Sequence, residues 1–152
     1  MRLESVTVAP DAVEALLCFD AGEPLRTCEL PALADRVLEA LPGLRGHRCD
    51  NKAGATFPDE LRDTEIAHLV EHAALEVMAM AGSPETLRGV TSWDVARDGR
   101  GRFRIRLEYV DSAIALGALG FAVRLVEAAG ADGDVPDALA EARRLRGLAG
   151  RA

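Results

Sequence analysis

Histidine, lysine and cysteine are all scarce in this 152-residue chain: three histidines, three cysteines and a single lysine, Lys52. Cys18, Cys28 and Cys49 are odd in number and lack C-x-x-C spacing, which argues against a disulfide framework and a cysteine-only zinc site. Reduced thiols are the expectation. Aromatic residues make up 4%, with Trp93 the lone tryptophan. No Walker loop, no G-x-G-x-x-G after a strand and no nucleophile elbow occurs, so nucleotide-dependent chemistry has no support. No apolar run approaches bilayer length and the N-terminus lacks a signal-peptide shape, so a cytoplasmic protein without a membrane partner is expected. Seventeen of the 18 basic residues are arginine, yet the net charge is −7, which argues against nucleic acid as a partner.

Two of the three histidines lie four residues apart in His68-Leu69-Val70-Glu71-His72. On a helix, residues i and i+4 share a face about 6 Å apart along the axis. Two imidazoles so placed can share a divalent metal, zinc by preference, at about 2.0–2.1 Å from each nitrogen. Glu71 then sits beside the metal, where a carboxylate can take a proton from water. The run from Asp63 to Met80 has no proline or glycine before Gly82, and its apolar residues recur at helical spacing. Asp63 or Thr64 is the expected N-cap and Gly82 the stop. Two histidines at this spacing also occur as ordinary half-buried helix residues.

The remaining pattern predicts an α+β fold: a two-layer sandwich with a small, mostly antiparallel sheet and helices packed on one face. Leu3–Ala9 reads as a strand, and residues 15–20 as a strand or a helical turn. Leu30–Leu41 reads as a helix, 43–59 as a long loop, and Asp111–Ala129 as a second long helix. Val90–Ala96 and Arg102–Tyr109 read as a hairpin joined by Asp98-Gly99-Arg100-Gly101. The expected organisation is one domain over 1–131, followed by a linker and a peripheral C-terminal helix over 132–152.

Four blocks carry a family resemblance: Leu41-Pro42-Gly43-Leu44, Gly46-His47-Arg48-Cys49, residues 68–76 and Leu107-Glu108-Tyr109. In order and rough spacing they resemble the N-terminal domain of cyanophycin synthetase over about residues 1–129. The resemblance implies a domain that holds an Asp-Arg polymer. In some members it looks like a metal-dependent hydrolase that cuts the polymer through an H-x-x-E-H helix. No counterpart of the ATP-grasp and Mur-ligase-like domains of those synthetases is expected within these 152 residues. The stretch Asp50-Asn51-Lys52-Ala53-Gly54-Ala55 departs from the family's glycine-rich loop, which puts the substrate in question.

A catalytic zinc usually takes three protein ligands. Glu76 continues the i, i+4, i+8 series, but about 12 Å of helix separates it from His68, which suits it better to orienting His72. Glu108 is the sole acid on a strand face otherwise made of Arg102, Arg104 and Arg106. It also matches the family's F/L-E-Y strand, and pitrilysin-type peptidases, whose motif this one resembles, likewise use a downstream glutamate. The expected site is therefore His68, His72 and Glu108 on zinc, Glu71 as the catalytic base and Glu76 behind the ligands. Arg48, Lys52, Arg104 and Arg106 would receive substrate carboxylates. The expected activity is metal-dependent hydrolysis of amide bonds in a peptide or Asp-Arg polymer, with a homo-oligomer left open. The alternative is a non-catalytic binding module or accessory subunit.

Overall fold

Alternation of apolar and charged residues over Arg102–Glu108 builds the strand that centres the sheet. In the computed structural model, which describes residues 1–51 and 54–149, this is β6. Its Phe103, Ile105 and Leu107 point into the core, and Arg102, Arg104, Arg106 and Glu108 point the other way. Strand β2 (Ala12–Cys18) pairs with it antiparallel, with Val13, Ala15 and Leu17 opposite Leu107, Ile105 and Phe103. Strands β1 (Arg2–Val8) and β5 (Gly89–Ser92) complete an antiparallel sheet in the order β1-β2-β6-β5. Of the stretch at 15–20, which local pattern leaves undecided, residues 15–18 form the end of β2.

The apolar face of that sheet is covered by α3 (Ile66–Met80) and α5 (Ser112–Gly130), which pack on one another. Small residues let the two helices approach: Ala67, Ala73 and Ala74 on α3, and Ala115, Ala118 and Ala122 on α5, are all buried. Each fully buried Leu or Val in this layer contributes about 1.5–3 kcal/mol. The Asp111 side chain caps α5 by accepting from Ala113 N and Ile114 N. By length and composition alone α5 is apolar enough to cross a membrane, contrary to the expectation that no stretch comes near; here its apolar side chains fill the core. The fold is the α+β class read from the sequence.

Several boundaries differ from the sequence reading. The helix read over 30–41 is shorter, α1 (Leu33–Ala40), and a 3-10 turn at Thr27–Glu29 precedes it. The long loop at 43–59 carries a 3-10 turn (Pro42–Gly46), a hairpin of β3 (Arg48–Asn51) and β4 (Gly54–Thr56), and the short α2 (Phe57–Glu60). The hairpin read over 90–109 is present, but β5 stops at Ser92. Asp94 caps a short helix α4 (Val95–Asp98) there and pulls the chain out of the ladder. Helix α3 has Glu65 at its N-cap position with no side-chain cap bond, and Thr64 is engaged elsewhere. Its end is as expected: Gly82 takes φ +103° and Ser83 N donates back to Met78 O. The last helix, α6 (Ala138–Arg146), lies against α3 and α5 through buried Ala138, Ala142 and Leu145. Leu145 seats against Gly117 of α5, where any Cβ would collide with it.

Candidate metal centre

All three histidines of the chain meet on one side of α3. The i, i+4 spacing brings His68 Nε2 and His72 Nε2 to 3.1 Å. The β3 strand lays Cys49 beside them, with Sγ 3.5 Å from His68 Nε2. These three donor atoms lie within 4.8 Å of one another. Bond lengths at a tetrahedral zinc imply about 3.3 Å between two nitrogens and about 3.6 Å between nitrogen and sulfur. The two spacings at His68 Nε2, 3.1 and 3.5 Å, come near those values, Cys49 Sγ and the His72 nitrogen lie within 4.8 Å, and one thiol with two imidazoles is a donor set zinc accepts.

Burial keeps both imidazoles in the neutral form that ligates. Desolvation, with the neighbouring His68 and His47 adding to it, pushes His72 down to about 2. Burial lowers His68 as well, against the pull of Glu60 and Glu65. Phe57, fully buried, stacks on His72 with ring centroids 3.8 Å apart and stands edge-on to His68 at 5.4 Å. Its aromatic ring therefore sets the planes of both imidazoles.

The outer ring nitrogens are also held. His68 Nδ1 lies 2.9 Å from the hydroxyl of buried Thr64, whose backbone N donates to Thr27 Oγ1. His72 Nδ1 faces His47 Nδ1 at 3.0 Å, and His47 Nε2 lies 2.9 Å from Glu76 Oε2. Glu76, expected to orient His72, contacts His47 instead.

Glu71 is 4% exposed and accepts from the Thr91 hydroxyl at 2.5 Å. Burial pushes its carboxyl up to about 7, with Thr91 and His47 pulling the other way. Gly89 of β5 passes so close that a Cβ there would overlap the Glu71 carboxyl.

The expectation that Glu108 is the third ligand is corrected. It lies on the sheet face opposite α3, and its carboxylate accepts from Arg88 N at 3.0 Å. Strand alternation enforces this, since Leu107 faces the helices and its neighbour must face away. Arg104 and Arg106 share that outer face and are paired with Asp98 and Asp11, so they do not meet the histidines. Arg48 does: with His47, His72, Glu76 and Glu85 it lines a cleft of about 540 Å³. Lys52 lies outside the described residues.

Cys49, His47, Phe57, Thr64 and Thr91 were not assigned to the site from sequence. A signal existed for two of them, since His47 and Cys49 stand two apart in a chain poor in both residue types.

A family model described as the cyanophycin synthase-like N-terminal domain matches residues 16–130, a span holding Cys49, His68, Glu71 and His72. The chain belongs to that family. Cyanophycin synthetases of Trichormus variabilis and of a Nostoc species are each 40% identical to it over 55 residues, 36% of this chain. That match spans 6% of each relative's length, so this family domain corresponds to a small part of those proteins.

Proposed function

We propose that this domain is a metal-dependent hydrolase of amide bonds, with Cys49, His68 and His72 holding one divalent ion, zinc by donor chemistry. The observation that carries the reading is the convergence of one sulfur and two imidazole nitrogens beside a buried carboxyl that titrates near neutrality. When bound, the ion supplies Lewis acidity toward a carbonyl and its attacking water. A coordinating thiol would give up its proton, so Cys49 with two neutral histidines would leave a net charge of +1 on a bound divalent ion. Glu71 in its charged form accepts the proton of the attacking water and passes it to the leaving amine. In the metal-free protein burial raises this carboxyl to about 7, and the positive charge of a bound ion would favour the charged form that accepts the proton. Thr91 donates to Oε2 and orients the group.

The cleft offers Arg48 beside Glu76 and Glu85, a mixed-charge lining suited to a substrate that alternates acid and base. The family's relatives are named cyanophycin synthetases, which makes an Asp-Arg polymer or a related peptide the first substrate to try.

The test is metal content and hydrolysis of Asp-Arg polymer by protein purified without a chelating tag. Cys49→Ala and both histidine-to-alanine variants lose the metal, Glu108→Gln keeps it, and Glu71→Gln keeps the metal but loses turnover. A Cys49→Ala protein that retains wild-type zinc sinks the ligand set. Ligand binding that is equal in wild type and Glu71→Gln, without turnover in either, makes the domain a binding module instead.

A further inference from the structure

We propose that His47, anchored by Glu76, is a positioning residue that presets His72 in the tautomer able to ligate a metal; this rests on the metal-site reading above. The four groups Glu76, His47, His72 and His68 form one continuous line of contacts at 2.9, 3.0 and 3.1 Å. A carboxylate only accepts, so His47 carries its proton on Nε2, toward Glu76. In the neutral imidazole, His47 Nδ1 is then a bare lone pair facing His72 Nδ1. Two bare lone pairs at 3.0 Å would repel, so His72 places its proton on Nδ1 and donates it to His47. His72 Nε2 is left bare on the side where His68 Nε2 and Cys49 Sγ converge. Reversing every proton in the line would press the His47 Nε2 lone pair against the Glu76 carboxylate, and that clash sets the polarity.

Two features hold the arrangement. The side chains of His47 and Glu76 are 19% and 15% exposed, so water screens their contact weakly. The 3-10 turn at Pro42–Gly46 also brings Gly43 over Glu76 so closely that any Cβ there would strike the carboxylate. The glycine leaves Glu76 the room it needs beside His47. At the other end the Thr64 hydroxyl can donate to His68 Nδ1 or accept from it. His68 can therefore move its proton to Nδ1 when an ion arrives. His72 needs no such change, and this asymmetry is the consequence of placing a carboxylate at one end and a hydroxyl at the other.

Such outer partners typically change metal affinity by about 10–100-fold. Two measurements test the proposal. Long-range proton–nitrogen NMR of the metal-free full chain shows His72 protonated on Nδ1 and His47 on Nε2. Cobalt(II) titration, read by its tetrahedral absorption, shows His47→Ala binding about 10–100-fold more weakly than wild type. His47→Gln, whose amide oxygen still accepts from His72, recovers most of that loss. A purely structural role for His47 would alter thermal stability without this pattern of loss and rescue. Protonation of His72 on Nε2 in the wild type overturns the proposal. So does tight cobalt binding by wild type with no loss in His47→Ala, which leaves the metal-site reading standing. Failure of the wild type to bind cobalt at all overturns both.

Discussion

At the scale of single residues, burial sets the chemistry. Glu71 and His72 sit side by side in the chain, both nearly out of water, and desolvation moves them in opposite senses, each toward its neutral form. The sign of the consequence for stability follows. The Glu71 carboxyl is raised from 4.5 to about 7, so folding takes up a proton between those values. Its contribution is fully present below pH 4.5 and lost as pH rises through 7, a change of roughly 3 kcal/mol. His72, lowered from 6.5, works the other way: its contribution is present above 6.5 and lost as pH falls. Glu71→Gln removes the first effect alone. In metal-free protein, urea unfolding will show this variant gaining stability over wild type at pH 8 but much less at pH 5. An equal difference at the two pH values would mean the Glu71 carboxyl is not perturbed.

At the scale of elements, the site depends on how closely neighbouring backbones approach α3. Strand β5 is an edge strand, and its Gly89 lies against Glu71 while Thr91 holds the same carboxyl. Gly89→Ala pushes the Glu71 side chain aside without touching the proposed ligands. The expected outcome is unchanged zinc content with turnover lowered at least as far as in Thr91→Val. Full activity in Gly89→Ala would show that Glu71 has room the packing does not suggest. On the other side of the layer, α6 belongs to the core by contact: Leu145 is fully buried against Gly117. Leu145→Ala leaves a cavity there and is expected to cost about 2–5 kcal/mol in denaturant unfolding. A cost below about 0.5 kcal/mol, the range of surface substitutions, would make α6 an ornament rather than part of the core.

At the scale of the whole molecule, an ion held by Cys49, His68 and His72, as proposed, would tie β3 to α3. A ligand that binds only the folded state stabilises it by about 2.7 kcal/mol at a concentration 100 times its Kd. For a domain of this size, zinc at that excess should raise Tm by roughly 5–10 °C, and a chelator should reverse the gain. Cys49→Ala should show no shift. A Tm indifferent to zinc in the wild type removes the reason to treat the cluster as a metal centre. The net charge of −7 places the protein well away from neutrality, and the outer sheet face answers its own arginines: Arg102, Arg104 and Arg106 pair with Glu4, Asp98 and Asp11.

The amino-acid sequence by itself determined what depends on short-range spacing. His68 and His72 share a helix face because 3.6 residues make a turn, Glu71 sits one position round from His72, and β6 alternates because a strand has period two. The α3 stop at Gly82 and the Asp111 cap are equally local. The same alternation already implied that Glu108 cannot share a side with Leu107, but which side faces α3 is settled only when the sheet packs. Cys49 and His47 lie roughly twenty residues before the motif, and no periodicity links them to it. Their place beside the histidines comes from the β3–β4 hairpin folding back on α3, with Phe57 wedged against both imidazoles. Burial, and with it the shifts of Glu71 and His72, likewise arises only when β5 and α2 close over the helix, because desolvation is a property of the packed neighbourhood and not of the chain.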